Sequence, residues 1–75
     1  MSKFLKESAI AYLSNKAESE YNSALMSFEL LLEKSTGIGD HSVGDYEKNL
    51  DEALQKLCDA QDKLDTIQSL EDMYL

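Results

Sequence analysis

Apolar residues recur at steps of three and four along most of the chain, in two series separated by a short stretch that holds every glycine. The first series, Ile10, Leu13, Ala17, Tyr21, Ala24, Phe28 and Leu31, draws one stripe along a helix predicted over about 3–34, with Ser2 as its N-cap. The second is stricter. Val43, Tyr46, Leu50, Ala53, Leu57, Ala60, Leu64 and Ile67 alternate three and four without a slip, predicting a helix over about 43–73. A seven-residue repeat of this kind favours a left-handed seam with a neighbouring helix. Ser42 with Asp45 three residues on resembles a weak capping box, and Lys56 after Glu52 and Lys63 after Asp59 add helical support. The chain contains no proline to break either helix.

Between the stripes lies STGIGDHSVG, residues 35–44, a turn predicted over about 35–42. Gly37 can take the left-handed conformation that ends a helix, Ile38 can pack back on Leu32, and Gly39 lets the chain reverse. Asp40 or Ser42 then caps the second helix. A short connection makes adjacent helices antiparallel, so facing residues have numbers with a constant total. A total of 77 pairs Leu31 with Tyr46, Ala24 with Ala53, Ala17 with Ala60, Leu13 with Leu64 and Ile10 with Ile67. Small meets small at two successive levels, which predicts close approach of the helix axes. The expected fold is all-α, an antiparallel two-helix hairpin in a single domain spanning 1–75.

One seam does not use all the apolar surface. Near the turn Leu25, Met26, Phe28, Leu30, Leu31 and Leu32 wrap nearly round the first helix, and Leu54 lies one position off the second stripe. A patch of that extent is larger than soluble monomers usually expose. The expectation is that two hairpins pack as a homodimeric four-helix bundle, through Leu25, Phe28, Leu32, Tyr46, Leu50 and Leu54. Association also answers a size problem, because 75 residues bury a core worth only a few kcal/mol, on the order of 3–5.

Composition narrows the functional classes. Cys58 is the sole cysteine, so an internal disulfide is excluded and a reducing, cytoplasmic setting is expected. No apolar run reaches the ~20 residues of a membrane span, and the N-terminal stretch does not resemble a secretory signal. Formal charge is −8, with fifteen acids, seven lysines and no arginine, which argues against direct nucleic-acid binding. The acid is uneven: residues 1–34 carry a net −1 and residues 35–75 a net −7. Asp51, Glu52, Asp59, Asp62 and Asp65 fall on the outer face of the second helix, either as a solvated face or as a surface for a basic partner.

Candidate chemistry is sparse. His41 with Asp40, Asp45 and Glu47 fits neither zinc spacings nor a calcium loop, so no metal site is expected. GIGDHSVG lacks the lysine of a phosphate-binding loop. Cys58 lies more than four helical turns from His41, so no catalytic pair forms, and no cofactor or enzymatic activity is expected. The tip Gly37, Ile38, Gly39, Asp40 and His41 is left as a possible contact point for a protein partner.

The turn GIGDHS followed by EALQKLCDAQDKLDTIQSLEDMY resembles small helical-hairpin proteins of tailed bacteriophages, especially those infecting marine cyanobacteria. They share a Gly-x-Gly-acid-His turn and an Ala-x-Asp-Lys-Leu pattern, here Ala60, Asp62, Lys63 and Leu64. The resemblance covers roughly residues 28–75. It implies a helical hairpin in a viral setting and carries no activity with it. The expected function is self-association and protein contact, as an accessory or structural component. The alternative is an acidic regulator or inhibitor of a host protein, mimicking nucleic acid.

Overall fold

The structure, a computed structural model, describes residues 3–33 and 43–75. It is a helical hairpin: α1 runs Lys3–Glu33 and α2 runs Val43–Tyr74, and the two pack on each other along their length. The all-α architecture of two packed helices agrees with the periodicity of the sequence. At 31 and 32 residues each helix is about 46–48 Å long, the greater part of a rod whose Cα extents are 58 × 14 × 14 Å. Both helices are rich in Leu, Ala, Lys and Glu, all strong helix formers, so local preference and tertiary packing agree. Gly44 is tolerated in the first turn of α2, where Asp45 complements the positive helix end.

The core is made almost entirely of alanine. Among the described residues Ala17, Ala24, Ala53, Ala60 and Ile67 are buried, Ala17 most deeply at 2% exposed, and no large side chain is fully buried. Ile10, Tyr21, Phe28, Leu31, Tyr46, Leu50, Leu57 and Leu64 flank that line half-buried. Small side chains let the helix axes approach, and longer side chains then close over the two edges of the seam.

Two members of the predicted stripes lie elsewhere. Leu13 is 43% exposed, and Ser14 beside it is half-buried. Both lie about 50° off the line joining Ile10 to Ala17, on opposite sides of it, so spacing alone does not choose between them. The hairpin places the short serine inward and leaves leucine on the shoulder. Val43 is also exposed, as the first residue of α2; its counterpart at the predicted register is Lys34, outside the described residues. Ser2, Ser42 and the turn contacts of Gly37, Ile38, Gly39 and Asp40 likewise lie outside the described residues.

Candidate functional site

The seam has two unlike sides, and the reason can be followed from the alanine line outward. In α1 the line runs through Ala17, Ala24 and Leu31, and in α2 through Ala53, Ala60 and Ile67, each at seven-residue intervals. At about 100° per residue, positions three after these line residues fall on one side of the seam, and positions one or four after on the other. Because the helices are antiparallel, like sides of α1 and α2 come together.

The first side is polar about its middle, with Leu13 and Leu30 exposed toward its two ends. Glu20 and Lys63, each three residues past an alanine, meet across it with Lys63 Nζ donating to Glu20 Oε2 at 2.9 Å. The sequence places Lys63 four residues after Asp59, whose charge does favour the ammonium, but the direct hydrogen bond of Lys63 goes across to α1. Asp59 accepts from Gln55 Nε2 at 2.9 Å. The Lys63 hydrogen bond is the main reason that the Glu20 carboxyl is held below its ordinary value; the Lys63 and Lys16 charges add to it and desolvation opposes it. In turn, hydrogen bonding to Glu20 and then its charge raise Lys63, desolvation opposes them, and the Asp59 charge adds a smaller favourable effect. Beside the pair runs a shallow groove lined by Ser19, Ser23 and Ser27 of α1 and by Lys56, Asp59 and Lys63 of α2. A second groove on this side is more apolar, formed where Leu13 and Ile67 lie beneath Lys16, Glu20 and Thr66.

The other side is apolar near the turn end. Phe28 and Leu57 lie four residues past their alanines, Leu25, Leu32 and Leu54 lie one past a line residue, and Leu50 lies three before Ala53. Leu32 and Leu54 remain 51% and 52% exposed, while Leu25, Phe28, Leu50 and Leu57 are half-buried. Of the six residues expected to carry association, five therefore share one side of the hairpin. Tyr46 sits differently. Its hydroxyl donates to the Leu31 carbonyl at 2.8 Å, so the ring is used within the hairpin itself.

Asp51, Glu52, Asp59, Asp62 and Asp65 are all exposed on α2. Asp65 accepts from Gln61 Nε2 at 3.0 Å, so part of this surface is tied into one-turn amide–carboxylate pairs. Cys58 is exposed. Among the described residues no group of His, Cys, Asp and Glu is arranged to hold a metal ion. No described helix is long and apolar enough to cross a membrane. The tip residues Gly37, Ile38, Gly39, Asp40 and His41 fall outside the described residues. The unlikeness of the two sides was latent in the sequence, because it requires knowing which flank of α1 meets which flank of α2. Comparison with protein-family models, with curated proteins and with solved structures finds no match.

Proposed function

We propose that the protein works through protein–protein contact and self-associates, two hairpins forming a four-helix bundle. One observation carries this reading: a rod with an alanine core leaves Leu32 and Leu54 half-exposed beside four further apolar side chains on a single side. Such a surface is stabilised by removal from water at about 25 cal/mol per Å² of apolar area buried, and among the described residues no second layer covers it. The lack of a catalytic constellation in the sequence points the same way. The resemblance of the turn and α2 to tailed-phage proteins supports a viral setting and a role as an accessory or structural component of the host-cell cytoplasm. Sedimentation or light scattering at micromolar concentration tests the reading. Twice the chain mass of 8.4 kDa is expected, and a folded monomer would exclude it.

The exposed acids of α2 favour a second reading, in which Asp51, Glu52, Asp59, Asp62 and Asp65 imitate a phosphate backbone for a basic host protein. That binding falls with salt and is lost when the five acids become amides. Affinity for a nucleic-acid-binding host protein that survives the substitutions sinks the mimic.

A further inference from the structure

We infer that a second copy of this chain sits on one side of the hairpin only, the side carrying Leu25, Phe28, Leu32, Leu50, Leu54 and Leu57, patch against patch about a two-fold axis. This rests on the reading that the protein self-associates as two hairpins, and adds which side of the seam is used and the two-fold geometry that closes it.

Surface area sets the scale. The chain exposes 5765 Å², whereas a compact monomer of 8.4 kDa exposes about 4,600 Å². The excess, about 1,100 Å² per chain, exceeds the ~800 Å² that each partner contributes to a standard stable interface. A second hairpin supplies a surface of matching length and chemistry. The other side of the seam is an inferior seat, since docking there would desolvate the Glu20–Lys63 ion pair and cover Ser23, Ser27 and Lys56 with no partner for them. Other exposed apolar side chains, Tyr12, Met26, Leu30 and Met73 among them, lie apart from this cluster, and a contiguous patch that meets its own copy is satisfied at two chains, so assembly closes there.

Charge gives the interface its character. The six patch residues carry none, but the exposed acids Glu29, Glu47 and Asp51 border them, and each copy has a formal charge of −8. Two such copies repel until salt screens them. Self-association on this patch therefore tightens as salt rises, opposite to the response expected for an acidic surface meeting a basic partner.

The full chain tests this by sedimentation with three variants. Leu54→Glu, at a half-exposed position that a folded hairpin accommodates, is expected to yield a helical monomer, while Ser23→Glu on the polar side remains a dimer. In a Cys58→Ser background, Leu54→Cys is expected to form a covalent dimer on mild oxidation, and Ser23→Cys to remain uncrosslinked. A dimer that survives Leu54→Glu and dissociates with Ser23→Glu overturns the placement, leaving self-association standing. Species that grow without limit as concentration rises overturn the two-fold closure. A wild-type monomer at every concentration and salt overturns both, and leaves an amphipathic helix of another protein as the occupant.

Discussion

The Tyr46 hydroxyl near the start of α2 donates a 2.8 Å hydrogen bond to the carbonyl oxygen of Leu31 near the end of α1. Leu31 lies near the end of the described part of α1, so the bond ties the turn end of one helix to the other. The bond also fixes Leu31 and Tyr46 as counterparts, the pairing that the apolar spacing predicts. Removing the hydroxyl isolates this contribution. Tyr46→Phe is expected to cost about 0.5–1.5 kcal/mol, read as a lower urea midpoint at unchanged slope and fixed protein concentration. Tyr12→Phe, on an exposed ring, stays within about 0.5 kcal/mol of the parent.

The alanine line predicts the reverse of a cavity series. Ala17 and Ala60 are 2% and 4% exposed, so a leucine at either has no room without separating the helices. Ala17→Leu and Ala60→Leu are each expected to destabilise by about 1–3 kcal/mol in chemical denaturation, although leucine is a good helix former. Ala11→Leu, at an exposed position of the same helix, shifts stability by less than about 0.5 kcal/mol. Equal effects at Ala11 and Ala17 would contradict close approach at the alanines.

The Glu20–Lys63 pair has a defined pH window. Glu20 lies below its ordinary value of 4.5 in the folded chain, so its contribution is present above 4.5 and is lost as pH falls through the lower folded value. Lys63 lies above its ordinary 10.5, so its contribution is present below 10.5 and is lost as pH rises through the higher folded value. Both groups are well exposed, and solvent screening keeps the effect small. A double-mutant cycle of Glu20→Gln and Lys63→Met is expected to give a small favourable coupling at neutral pH. The coupling disappears in acid and weakens at high salt; a coupling that persists at pH 2 is not this ion pair.

Amide substitution of Asp51, Glu52, Asp59, Asp62 and Asp65 takes the formal charge from −8 to −3. All five are exposed, so circular dichroism is expected to show unchanged helix content. The salt dependence of self-association should flatten, because less repulsion remains to be screened. Loss of helix in this variant would mean that the acids support the fold as well as coat it.

What the sequence determined by itself follows from local periodicity. Steps of three and four without proline specify helices, and the match of alanine levels at Ala24 with Ala53 and Ala17 with Ala60 specifies an antiparallel partner, because both properties are carried by spacing along one chain. The acidic face of α2 was legible for the same reason. Only the tertiary structure could decide which shoulder of each stripe turns inward, since Leu13 and Ser14 are equivalent by spacing and differ only once α2 lies beside them. It likewise gave Lys63 a direct partner in Glu20 across the seam and aimed the Tyr46 hydroxyl at the Leu31 carbonyl. Those choices depend on what stands across the seam. From them comes the separation of a polar side from an apolar one, a property of two helices together that neither stripe possesses alone.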